Sequence, residues 1–161
     1  MTDRLELISA RVLGTWFGCG YFPIAPGTIG SIAALGMALL LRHFVRFHPL
    51  ACLFWAIALT MPAMWAADTV AREDKNKDPR IVVVDEVVGQ WITLAAARHV
   101  NWQGCLMALA LFRLFDIWKP YPIRRLEALP GGVGIVSDDI LAGVYGALVL
   151  FLLGWFNLYW V

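Results

Sequence analysis

Five carboxylates in this chain sit among apolar residues, where a charge is expensive to hold. Asp85 and Glu86 interrupt VVVDEVVGQWITL (residues 82–94), Asp116 lies in FRLFDIWKPYPIRR (residues 112–125), and Asp138 and Asp139 lie in GGVGIVSDDILAGVYGAL (residues 131–148). An ionised group at a hydrocarbon boundary has to be paired, hydrogen-bonded or bound to a cation. Oxygen donors of this kind suit Mg²⁺, which retains waters and bridges to phosphate oxygens. Arg113 and Asp116 share a helical face, Lys119 extends it by another turn, and Arg124 follows. Such a basic–acidic–basic face suits a phosphate bound beside a metal. A further segment, YFPIAPGTIGS (residues 21–31), turns at Pro26 and Gly27 into Thr28, a good helix N-cap. Exposed amides there can hold an anion.

Each cluster also has a simpler reading. Asp85 and Glu86 are favoured at a helix N-terminus by the dipole alone. Arg113 and Asp116 can be a plain ion pair, and the segment after Pro26 can be only a cap. Asp138 and Asp139 look like the start of a helix with Ser137 as its cap, yet one acid would satisfy the dipole. The second hints at a shared cation. Gly89 lies one turn from Asp85 and is expected to open space beside that carboxylate.

These residues must be positioned by helices in a membrane. The chain is 60% hydrophobic, with eight tryptophans among its 161 residues, and its mean hydropathy is +0.69. Such values argue against an ordinary soluble domain. Five apolar stretches alternate with polar connections: Thr28–Phe44, Leu50–Ala67, Ile81–Ala97, Gln103–Trp118 and Asp139–Trp160. The expectation is an all-α, polytopic membrane bundle of about five apolar helices, with re-entrant half-helices as the competing reading for the third and fourth. Residues 1–161 are read as a single membrane-embedded domain, with 1–27 as an interfacial N-terminal segment. Ala142, Gly143 and Gly146 form a small-residue stripe for close helix contact. The mixed-charge loop containing REDKNKDPR reads as solvated surface, and a short helix is expected around Ile123–Leu129.

Threading the stretches as alternating crossings puts all twelve acidic residues at one face. Nine basic residues flank that face, whereas only Arg42, Arg46 and Arg98 flank the other. The positive-inside rule makes the acid-rich face cytoplasmic. Trp16, Tyr21, Trp118, Tyr121, Tyr159 and Trp160 are placed as interfacial anchors. Cys19, Cys52 and Cys105 have no metal-ligand spacing and read as packing residues. A net charge of +1 carries no nucleic-acid signature, and no obligatory protein partner is implied. A Cys-x5-Arg loop, a DxDx[TV] motif, a GxxxxGK[ST] loop and the CDP-alcohol phosphotransferase pattern are all absent.

The segments PGTIGS, VDEVVGQWITL, FRLFDIWKPYPIRR and GGVGIVSDDILAG together resemble the motifs of the bacterial phosphatidylglycerophosphatase A family. The resemblance runs in order from about residue 14 to residue 148. It implies Mg²⁺-dependent hydrolysis of phosphatidylglycerophosphate at the cytoplasmic face of the inner membrane. On that reading Asp85, Glu86, Asp116 and Asp139 act in catalysis, and the same four with Asp138 hold metal. Lys119, Arg124, Arg113, Thr28 and Gly27 receive the phosphate. The rival reading is a small cation transporter using the same carboxylates, which would spread its acids through the membrane depth. The threading is tested by single cysteines at Lys75 and Arg125 in a cysteine-free background. Both should label from the same side of the membrane, and labelling from opposite sides overturns it.

Overall fold

Helix ends in this chain are written by identifiable residues. His48 caps a helix whose first residue is Pro49, its Nδ1 accepting from the Leu50 amide at 3.2 Å. Asn101 does the same through Oδ1 and the Gly104 amide at 2.8 Å. Lys119 adopts a left-handed conformation that stops that same helix just before Pro120. In the computed structural model, which describes residues 2–45 and 48–155, these signals delimit a wholly helical architecture among the described residues. The elements are α1 (Thr2–Gly14), a 3-10 turn (Cys19–Tyr21), α2 (Pro26–Val45), α3 (Pro49–Glu73), α4 (Val84–Ala95), α5 (Trp102–Trp118), α6 (Ile123–Leu126) and α7 (Gly131–Trp155). Arg46, Tyr159 and Trp160, used in the threading above, lie outside the described residues.

Among the described residues, three helices are long and apolar enough to cross a bilayer: α2, α3 and α7. Their outward faces carry exposed Leu40, Phe54, Ile57, Met61, Phe151 and Leu152, as lipid contact requires. Of the five apolar stretches expected to cross, three coincide with helices of bilayer length among the described residues. With 12 residues, α4 spans only about 18 Å, short of roughly 30 Å of hydrocarbon. Ten of those 12 residues are buried. It is a central helix enclosed by α2, α3, α5 and α7. Its apolar run is thus explained by protein burial rather than by lipid.

The packing of α4 against α7 is the most extensive in the fold. A Cβ at Gly143 would lie 2.5 Å from the Gly89 carbonyl oxygen, and one at Gly89 would meet the Phe112 ring and sit 2.6 Å from the Asp139 carbonyl. Gly89 therefore does not open space beside Asp85; it closes space, letting two backbones touch. The small-residue stripe on α7 does what its composition implied. Thr93 sits at the same seam, its hydroxyl 3.1 Å from both the Gly89 and Gly143 carbonyls. Trp91 Nε1 donates to the Ala34 carbonyl at 3.0 Å, fastening α4 to α2.

Two further helix starts differ from expectation. The first turn of α2 begins at Pro26, with the Ile29 amide bonded to the Ala25 carbonyl, so Thr28 lies inside the helix and is not its cap. Likewise α7 begins at Gly131, which places Asp138 and Asp139 two turns within it and Ser137 away from any cap. The short helix after Pro122 is present as α6 but stops at Leu126. At the far end, the Arg42 guanidinium donates to the Val100 carbonyl, joining the last turn of α2 to the α4–α5 connection.

A side chain at the α4–α7 seam has nowhere to go. Gly143→Val should cost about 1–3 kcal/mol or more through overpacking. Gly36→Ala, where an added Cβ meets nothing within 4 Å, should be neutral or slightly stabilising. Thermal melting in detergent separates the two outcomes, and equal midpoints would show that the seam tolerates separation.

Candidate active site

The first turn of α4 and the second turn of α7 meet at the acid-rich end of the bundle. There Asp85, Glu86 and Asp139 each present a carboxylate oxygen, all within 4.8 Å of one another. Asp85 is 7% exposed and Asp139 4%. Asp85 Oδ1, Glu86 Oε2 and Asp138 Oδ1 are buried without a hydrogen-bond partner. Leaving such atoms unsatisfied is costly, and three carboxylates in contact add repulsion to desolvation. The helix dipole of α4 offsets only a small part of this, worth at most about 2 kcal/mol.

Around this trio Asp116, Asp138 and Glu127 are already paired. Arg113 Nη1 lies 2.6 Å from Asp116 Oδ2 and 3.9 Å from Glu86 Oε1. Lys119 Nζ lies 2.8 Å from Asp138 Oδ2 and 3.3 Å from Glu127 Oε2. Burial by itself would lower the Lys119 pKa, but the hydrogen bond and charge of Asp138, joined by Glu127, outweigh it and raise the ammonium above the usual lysine range. Asp116 and Asp138 thus have cations of their own, whereas Asp85 and Asp139 have no ion-pair partner among the described residues.

All of these side chains line one cavity of about 320 Å³. Its wall carries seven acidic residues (Asp78, Asp85, Glu86, Asp116, Glu127, Asp138, Asp139) against four basic ones (Lys77, Arg80, Arg113, Lys119), a formal excess of three negative charges. Such a cavity is poorly suited to an anion unless a cation enters with it. Gly27 also lines it, because a Cβ there would collide with Glu86 Oε1 and sit 3.3 Å from Arg113 Nη1. Its absent side chain lets the start of α2 lie against the carboxylates.

The structure therefore gathers Asp85, Glu86, Asp116, Asp138, Asp139, Arg113, Lys119 and Gly27 around one space. Thr28 and Arg124 are not part of its lining; Arg124 is exposed on α6. Sequence reasoning missed Lys77 and Arg80, which were assigned to solvated surface yet face the cavity. The available signal was position, since their loop leads directly into α4. It also passed over Gln90, fully buried one turn beyond Glu86 with both amide atoms unpartnered.

Bilayer-length helices around an enclosed central helix, with carboxylates gathered at one end, define an α-helical membrane protein with a polar site at the edge of the lipid. Residues 12–154 match the profile of the family described as Phosphatidylglycerophosphatase A. Proteins named phosphatidylglycerophosphatase A from Escherichia coli and Haemophilus influenzae are 36% and 40% identical to this chain. The first alignment covers 94% of this chain and 88% of the relative, the second 88% and 86%. A Bacteroides thetaiotaomicron protein bearing the name "Putative phosphatidylinositol-3-phosphatase" is 39% identical, over 89% of this chain and 92% of that protein. The chain belongs to the phosphatidylglycerophosphatase A family, a family of phosphatases. No solved structure matches it.

A shared site and three separate helix ornaments differ in what mutation does. Asp85→Asn, Asp116→Asn and Asp139→Asn should each fold normally and lose roughly a hundredfold or more in turnover. Pairwise combinations should cost little more than the worst single change, as for residues that act as a unit. Phosphate release by purified variants, with melting curves as control, measures this. Near-normal turnover in all three singles would dissolve the shared site.

Proposed function

We propose that this chain hydrolyses the terminal phosphomonoester of phosphatidylglycerophosphate, releasing phosphatidylglycerol and phosphate. The observation that carries the reading is the trio Asp85, Glu86 and Asp139, with unpartnered buried oxygens on Asp85 and Glu86, beside two carboxylate–cation pairs in one cavity. This all-oxygen donor set fits Mg²⁺, with Asp85, Glu86 and Asp139 as its ligands and Asp116 and Asp138 within the same wall. When bound, such an ion supplies Lewis-acid polarisation of the phosphoryl group and a lowered pKa for water. Arg113 and Lys119 are placed to compensate charge on the phosphoryl oxygens. Asp85, Glu86, Asp116 and Asp139 are the candidates for accepting the proton of the attacking water. Water attack forms the new P–O bond as the bond to the glycerol oxygen breaks.

The basic-residue asymmetry supports a bacterial inner-membrane location with the pocket facing the cytoplasm. A cation transporter finds no support, because the acids of α4, α5 and α7 meet at one end and do not mark a path through the bundle. The name of the Bacteroides relative brings a second lipid phosphomonoester into the comparison. Purified protein in neutral detergent micelles should release phosphate from phosphatidylglycerophosphate at least roughly tenfold faster than from phosphatidylinositol 3-phosphate. EDTA should abolish turnover and added Mg²⁺ restore it. A reversed preference would replace the substrate, and undiminished turnover after exhaustive chelation would remove the metal.

A further inference from the structure

Beside the acidic cavity runs a second one, a groove of about 770 Å³ between α3 and the start of α7. Lys77 and Gly131 line both. Along α3 the groove extends from Arg72 back to Met61, roughly 16 Å of helix, and so reaches from the polar end towards hydrocarbon depth. Its deep part is apolar, lined by Met61, Met64, Trp65 and Val133, and Met61 and Val133 are exposed on helices long enough to span a bilayer. Its rim is cationic. Arg72 is engaged with Asp68 at 2.7 Å, but Lys75 and Lys77 have no ion-pair partner among the described residues.

Phosphatidylglycerophosphate has two phosphates with different needs. The terminal one must reach the reacting carboxylates. The bridging phosphodiester remains anionic throughout, and the acidic cavity, with its excess negative charge, is a poor place for it. Resting on the reading above, we propose that the groove holds the diester and the proximal acyl chain of the substrate lipid. Lys75 and Lys77 bind the phosphodiester as point charges. Met61, Met64, Trp65 and Val133 take the chain, and the headgroup spans the shared wall at Lys77 and Gly131. Glycine is needed at that wall: Gly131 has φ 61° with Asp68 where a Cβ would stand, and a Cβ at Gly132 would strike the Met64 carbonyl. These two residues let α7 start flush against α3. The groove thus selects lipid-borne phosphomonoesters over soluble ones, whichever headgroup they carry.

The test uses the full chain in neutral detergent micelles with phosphatidylglycerophosphate. Lys75→Gln/Lys77→Gln should raise KM roughly tenfold, with the loss falling in KM more than in kcat. Inhibition by phosphatidylglycerol, which retains the diester but lacks the terminal phosphate, should weaken by a similar factor. Inhibition by inorganic phosphate, which needs only the acidic cavity, should weaken far less in the single variant Lys75→Gln, because Lys75 lines the groove and not that cavity. Lys75→Arg/Lys77→Arg should stay near the parent, and Val133→Trp, which fills the groove without touching charge, should also raise KM. An unchanged KM in both the Gln pair and Val133→Trp, or phosphate inhibition falling in step with lipid inhibition in Lys75→Gln, overturns the groove. So does a KM effect seen only in anionic vesicles and absent in micelles, which would assign the lysines to bulk lipid. Because the parent rate reports the proposed reaction and the variant-to-parent ratio reports the groove, the two fail separately; an inactive parent would overturn both.

Discussion

The touching backbones of α4 and α7 determine where the trio Asp85, Glu86 and Asp139 stands. Gly89 and Gly143 remove the side chains that would otherwise separate the two helices, and Thr93 bridges their carbonyls. With the helices this close, the second turn of α7 comes level with the first turn of α4, and Asp139 arrives beside Asp85 and Glu86. Helix association in lipid gains little from apolar burial, so close van der Waals contact and polar links across the seam carry it. The same contact that stabilises the bundle assembles the most repulsive group of charges in it.

That repulsion is divided unevenly. Two of the pocket acids have near partners in Arg113 and Lys119, both supplied by α5 and its C-cap. Between them the α4–α7 trio remains short of positive charge, with buried oxygens facing no donor. Pairs that neutralise the wall and a trio left open to a cation are consistent with a site that takes up cation and anionic headgroup together. Lys119 shows how tightly the arrangement is drawn. Its backbone ends α5 in a left-handed turn while its ammonium reaches across to Asp138 on α7.

Much of this was legible in the residues. Four segments bearing acids or glycine in apolar surroundings proved to share one cavity, and the basic–acidic face of Arg113, Asp116 and Lys119 lines it. The stripe of Ala142, Gly143 and Gly146 announced a close helix contact, though not its partner. Hydropathy failed where two environments look alike. A helix wrapped by protein and a helix wrapped by lipid are equally apolar, and only length separates α4 from a true crossing. Helix starts at Pro26 and Gly131 were misplaced because a good capping residue, Thr28 or Ser137, drew the boundary to itself while tertiary contacts set it elsewhere. Lys77 and Arg80 were missed because a mixed-charge loop carries no periodicity, so nothing in its composition tells which side chains turn inward.

The enclosure of α4 has a consequence for how the chain is made. A segment of 12 residues with two acids in its first turn is a poor candidate for residence in a bilayer alone. It gains shelter only from α2 and α3, which precede it, and from α5 and α7, which are synthesised later. Insertion of the three long helices must therefore come before, or together with, the burial of α4. Asp85 and Glu86 spend the interval at the membrane edge, in water. The pocket is complete only when the glycines of α7 lie against Gly89, so burial of α4 and assembly of the carboxylate trio are one event.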